Sequence, residues 1–140
     1  LVGSEMCIRD SNKVSNLCQK YNTFFHSDAV QAVGHYKIDL NSLKIDFMTS
    51  AGHKFHGPKG VGFTYINNST KIKSFICGGP QERGLRAGTE SVHNIVGMTK
   101  ALEIADKNME EEAQNVKSIK KYMIENLSIL FPNIWIRNSR

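Results

Sequence analysis

Val14, Leu17, Cys18 and Tyr21 fall at i, i+3, i+4 and i+7, one face of an amphipathic helix for which Asn12 is a suitable cap. Residues 1–11 before it show no clear period. The β-branched and aromatic run Thr23-Phe24-Phe25-His26 predicts a buried strand ending at Ser27-Asp28. Small residues then lead to Gly34, and Ile38, Leu40 and Leu43 mark a short turn or helix. Residues 47–50 predict a second strand and residues 61–66 a third. Asn67-Asn68-Ser69-Thr70 after it is turn chemistry, suited to a hairpin tip.

Residues 51–60, between the second and third strands, are loop by composition, with glycines at 52, 57 and 60. A second Gly-rich loop runs from Gly78 to Thr89. Thr89-Glu90 reads as a helix start, and Val92, Ile95, Val96, Ala101, Leu102 and Ala105 give a helical apolar stripe. Helix continues through Glu110-Glu111-Glu112 to Lys117, Lys120 and Lys121, acidic first and basic last, the order a helix dipole favours. Val116, Ile119, Met123 and Leu127 form its apolar side, Pro132 ends it, and residues 134–136 begin a further strand. Strands alternating with helices, then long helices, argue an α/β layered fold.

Composition narrows the class more than it identifies one. The 140 residues suit a single domain, and 40 % hydrophobic with 22 % charged residues is ordinary for a packed chain. No run approaches the ~20 apolar residues of a membrane span, so no membrane association is expected. Opening on Leu1 without a signal-like apolar block leads us to expect a processed chain or a piece of a longer one. Three cysteines (Cys7, Cys18, Cys77) without CxxC spacing indicate neither a disulfide framework nor a zinc knuckle. A reducing, cytoplasmic setting is therefore expected. The net charge of +5 suits an anionic partner, but the basic residues are scattered and no nucleic acid is expected.

Several familiar motifs drop out. Gly57, Gly60 and Gly62 are not in dinucleotide-fingerprint order, and no phosphate-loop GK[ST] is present. His53-x-x-His56 lacks a third ligand at metal spacing, so no metal site is expected. Two residues stand out: Lys54 in a loop rich in Gly and His just after a strand, and Asp28 at the end of an earlier strand. A loop lysine is ordinarily a solvated charge. Here glycines on both sides let backbone approach a ligand, and Asp28 beside an apolar strand calls for a cationic partner. Ser50, His53, Arg86 and Thr89 are possible phosphate donors. A Schiff-base lysine, a carboxylate for a pyridinium nitrogen and phosphate donors are the parts of a pyridoxal 5'-phosphate site.

At His26-Ser27-Asp28-Ala29-Val30-Gln31, Gly52-His53-Lys54-Phe55-His56-Gly57-Pro58-Lys59-Gly60 and Gly78-Gly79-x-Gln81-Glu82-Arg83-Gly84-x-Arg86-Ala87-Gly88-Thr89, the sequence resembles the cysteine desulfurases. These are class V, fold-type I pyridoxal phosphate enzymes. The resemblance covers nearly everything from about Asn12 and includes Ile95-Val96-Gly97. It implies part of the large cofactor-binding domain, a three-layer α/β/α arrangement with a mixed sheet, incomplete at both ends. Residues 12–136 would be that domain, with the helices after 89 leading toward a small domain. Residues 1–11 would be foreign to it and 137–140 a truncated end.

The resemblance implies roles one residue at a time. Lys54 would be the catalytic lysine that carries the cofactor, Asp28 would pair with the ring nitrogen, and Gln31 would bond the ring's phenolic oxygen. His53 would sit beside the phosphate, with Ser50 as a further donor. Thr89 would reach the phosphate of the other subunit's cofactor in a homodimer. For His26 and Arg86, packing or loop bracing is as good a reading as a direct role. Many relatives have Ser three residues before the lysine, where this chain has Ala51. The family's nucleophilic cysteine lies downstream of Arg140, and neither Cys18 nor Cys77 takes its place.

The implied reaction removes sulfur from L-cysteine, giving L-alanine and an enzyme persulfide for a sulfur-acceptor or iron–sulfur scaffold protein. The 140-residue chain alone is expected to be inactive. The alternatives are a selenocysteine lyase, another class V aminotransferase, or a non-catalytic dimerisation fragment.

Overall fold

The computed structural model describes residues 4–134, with side chains from Asp10 onward. The strand expected at residues 134–136 and the end 137–140 lie outside the described residues past Ile134. Helix α1 spans Ser4–Lys20, strand β1 His26–Asp28, β2 Phe47–Ala51 and β3 Gly62–Ile66, and helix α2 covers Val92–Leu130. Single 3₁₀ turns lie at Gly52–Phe55 and Gln81–Gly84.

The three strands form one mixed sheet in the order β1-β2-β3. β1 runs parallel to β2, with Asp28 opposite Thr49, and β2 runs antiparallel to β3, with Ser50 opposite Phe63. Side chains alternate between the two faces. Ser27, Met48, Ser50, Phe63 and Tyr65 therefore share one face, and His26, Asp28, Thr49 and Thr64 the other.

The first of these faces holds the core. Met48, Ile45 and Phe55 pack there with Ala29, Ala32 and Val33 from the turns after β1, and with Met98 and Ala105 of α2. Ala101 and Leu102 complete the helix's contact stripe. The packed positions 98, 101, 102 and 105 keep helical i, i+3, i+4, i+7 spacing. Ala101, Leu102 and Ala105 are as read in the sequence, whereas Val92 and Val96 of that stripe are exposed and Met98 takes the buried place. α1 is tied to residue 44, where the buried Ser15 hydroxyl donates to the Lys44 carbonyl oxygen at 2.8 Å and Lys44 Nζ donates to Gln19 Oε1 at 3.1 Å.

Several local expectations shift. α1 begins at Ser4, so Asn12 lies inside the helix instead of capping it. The first strand is His26–Asp28 and not residues 23–26. Phe25 accepts backbone bonds from both Asp46 and Phe47 and donates its own N–H to Asp46 Oδ2, which takes it out of a regular ladder. Phe24 instead meets Phe47 edge-on at 5.8 Å.

The Asn67 turn forms, with its side chain accepting from the Ser69 amide at 3.0 Å, but no fourth strand follows among the described residues. α2 starts at Val92, with Ser91 at its N-cap position, and runs unbroken for 39 residues. The Glu110–Glu112 block thus sits mid-helix, and neither end turn carries the expected charge. A helix dipole acts only within the terminal turns, so the acid-before-base order adds nothing there. Pro132 follows the end at Leu130, as read.

In the connection to β2, Asp39 accepts from the Asn41 amide at 2.9 Å. That backbone hydrogen bond, and after it one from the Ser42 side chain, holds the Asp39 carboxyl below its ordinary range.

Candidate functional site at the carboxyl edge of the parallel strands

Parallel strands end together, and ligands of open α/β sheets bind outside those carboxyl ends. Asp28 is the last residue of β1, and the 3₁₀ turn carrying His53 and Lys54 begins directly after β2. The sheet therefore brings Asp28, His53 and Lys54 to one edge. Asp28 is exposed there, and its Oδ1 accepts from the Val30 amide at 2.9 Å, which closes the turn after the strand. Oδ2 carries no hydrogen bond among the described residues. Gln31 lies three residues on, exposed in that same turn.

Lys54 is half-buried and His53 exposed. Lys54 Nζ makes no ion pair among the described residues. The turn around them is tightly closed: the Gly57 amide donates to the Gly52 carbonyl oxygen at 2.9 Å, and His56 takes a left-handed backbone with φ 67°. Thr49 shares the Asp28 face, and its hydroxyl lies 3.4 Å from His26 Nε2. His26 thus braces the Asp28 face from the neighbouring strand.

Ser50 does not join this group. It points to the core face with Met48, is only 6 % exposed, and its hydroxyl has no hydrogen-bond partner among the described residues. The sequence placed it next to the lysine loop, but strand alternation turns it away from Asp28. Ala51, on the Asp28 face, holds the position where a hydroxyl would be useful.

Thr89 is exposed between the second Gly-rich loop and α2. That loop is cinched by Ala87 N–H to Ile76 O at 3.1 Å and Gly88 N–H to Gln81 Oε1 at 3.1 Å. Arg86 donates to its neighbour's carbonyl, Ala87 O, at 2.9 Å, a loop-bracing role.

One residue at this edge was not singled out in the sequence. His35 Nε2 lies 3.0 Å from the Lys54 carbonyl oxygen, 19 residues away. Its only sequence signal is its place after Gly34, at the end of the small-residue stretch that follows Asp28.

Pyridoxal phosphate asks for an amine, a carboxylate to hold its ring nitrogen and donors for its phosphate. The amine of Lys54 and an Asp28 carboxylate with an open oxygen stand at one strand edge, with His53 beside them. On this chemistry the residues fit the cofactor, with Ala51 leaving the phosphate one hydroxyl short.

The chain belongs to the aminotransferase class-V family, whose model matches residues 6–136. Enzymes of that family use pyridoxal phosphate. A cysteine desulfurase IscS of Clostridium botulinum is 43 % identical over 127 residues, covering 91 % of this chain and 32 % of the relative. One from Dictyoglomus turgidum is 38 % identical over 133 residues, covering 95 % of this chain and 34 % of its own length. Among solved structures, a NifS-like protein superposes with a TM-score of 0.80 at 41 % identity, covering 86 % of this chain and 34 % of that one. The fold is accordingly that of the fold-type I cysteine desulfurases, and the chain spans about a third of the length of these relatives.

Proposed function

We propose that this chain carries the cofactor-anchoring part of a cysteine desulfurase, with Lys54 as the lysine that takes pyridoxal phosphate. The observation that carries this reading is that Asp28 ends β1 while the turn bearing Lys54 directly follows β2, so both lie at one carboxyl edge of parallel strands. Relatives named cysteine desulfurase, at 43 % identity, support it from the sequence side.

When bound, the cofactor supplies an electron sink for the bonds of an attached amino acid. The chain's own residues do the rest. Asp28 would hold the proton on the ring nitrogen through its open oxygen, and Gln31, in the turn behind it, would donate to the ring's phenolic oxygen. His53 and the backbone amides of the Gly52–Phe55 turn would hold the phosphate, and the Lys54 amine would move the proton at the substrate's α-carbon. Thr89 serves the phosphate of a second subunit in a homodimer. Ser50 has no part in this set.

For the whole protein the substrate is L-cysteine. Its C–S bond breaks, the sulfur passes to an enzyme thiol as a persulfide, and the β-carbon takes a proton to leave L-alanine. A sulfur-acceptor or iron–sulfur scaffold protein would draw on that persulfide, and the exposed, unpaired Cys77 is in keeping with a reducing, cytoplasmic setting. Neither free thiol described here, Cys18 or Cys77, lies in the Asp28–Lys54 group.

The test is the absorbance of purified protein after incubation with pyridoxal phosphate and desalting. A protein-bound visible band, bleached by borohydride and absent from Lys54→Ala, is expected. A band of equal strength in Lys54→Ala would overturn the assignment. Neither protein should form alanine from cysteine, because the persulfide-forming thiol is not in this group.

A further inference from the structure

Beyond the core packing around Phe55, close contacts at Gly34 and His35 join the turn after β1 to the lysine-bearing turn after β2, outside the sheet. Gly34 lies so close to the second turn that a Cβ there would stand 2.6 Å from the Phe55 Cβ, and Phe55 is fully buried. One residue on, His35 Nε2 is 3.0 Å from the Lys54 carbonyl oxygen. A carbonyl only accepts, so the ring must donate from Nε2. The imidazole itself is exposed, so it adds little to the core.

A peptide carbonyl held from outside its own turn sets the plane of that peptide. The plane in turn sets the direction in which the side chain leaves the backbone. We infer that His35 is a positioning residue for Lys54, holding the lysine's peptide against the Gly34–Phe55 contact so that the amine is presented at the Asp28 edge. The consequence for the cofactor rests on the proposed function, but the hold on the turn does not.

Two substitutions separate the hydrogen bond from the bulk of the ring. His35→Gln places an amide N–H near the position of Nε2, whereas His35→Leu keeps volume and has no donor. The cofactor-free readout is hydrogen exchange of the Gly57 amide, whose bond to Gly52 closes the lysine turn. Roughly fivefold faster exchange is expected in His35→Leu, the size of one net hydrogen bond, and near-normal exchange in His35→Gln.

The second readout is the rate at which pyridoxal phosphate becomes borohydride-fixed on Lys54, measured by peptide mass. It should fall several-fold in His35→Leu and recover in His35→Gln. Faster Gly57 exchange with unchanged uptake would leave His35 a brace only and overturn the inference. So would His35→Gln behaving like His35→Leu. If the unsubstituted chain takes up no cofactor at Lys54, the proposed function fails, and Gly57 exchange alone decides whether His35 holds the turn. Should His35→Leu not fold, His35→Asn, too short to reach Lys54, takes its place with the same expected and contrary results.

Discussion

A single side chain separates proximity in sequence from proximity in space at this site. Ser50 lies four residues before Lys54, yet it faces the core alongside Met48, with its hydroxyl unpartnered among the described residues. An orphaned buried hydroxyl costs about 1–3 kcal/mol. Ser50→Ala is therefore expected to raise the unfolding midpoint, by about 1 kcal/mol in stability, and to leave cofactor uptake at Lys54 unchanged. Denaturant unfolding together with borohydride trapping checks both halves, and loss of uptake would return Ser50 to the site. Asp28 and Lys54 could be singled out in the sequence as candidates because their residue types state the proposed chemistry. His35 was not, because its contribution is a bond to a backbone atom, and no residue type announces that.

Among the elements, the two turns at the carboxyl edge depend on close approach. Gly34 has φ 82°, and a Cβ on it would meet the Phe55 Cβ. Gly34→Ala combines a left-handed backbone with overpacking against a buried ring, and a loss of about 2–3 kcal/mol is expected in denaturant unfolding. A change below about 0.5 kcal/mol would mean that the turns do not pack as described.

Strands and helices were legible to different degrees. The second and third strands and the long helical stripe followed from period and β-branched content. The first strand was displaced because Asp46, 21 residues away, captures the Phe25 amide, a contact that local pattern does not contain. The helix start at Ser4 was hidden because residues 1–11 have no apolar period.

At the scale of the molecule, α2 is longer than the sheet it packs on. Met98 and Ala105 are buried, but Val116, Ile119 and Met123, further along the same stripe, are 63 %, 59 % and 51 % exposed. Apolar stripes of this kind are rarely left bare in a stable monomer. The 140-residue chain is expected to elute well above its 15.7 kDa in size-exclusion chromatography with light scattering. The double variant Ile119→Lys, Met123→Lys should shift it toward monomer. A monomeric parent chain at micromolar concentration would contradict this. The family's large-domain fold was legible from three motifs in order, whereas the bare half of α2 was not. Periodicity reports which face is apolar and says nothing of what lies against it.

Mapping where pyridoxal phosphate attaches shows whether the parallel-strand edge with Asp28 and Lys54 anchors it. The protein is incubated with limiting pyridoxal phosphate, reduced with borohydride, digested, and its peptides weighed. The reduced cofactor is expected on Lys54 far above any other lysine, with the neighbouring Lys59 a built-in control. Label spread evenly over Lys54, Lys59 and the lysines of α2 would contradict it.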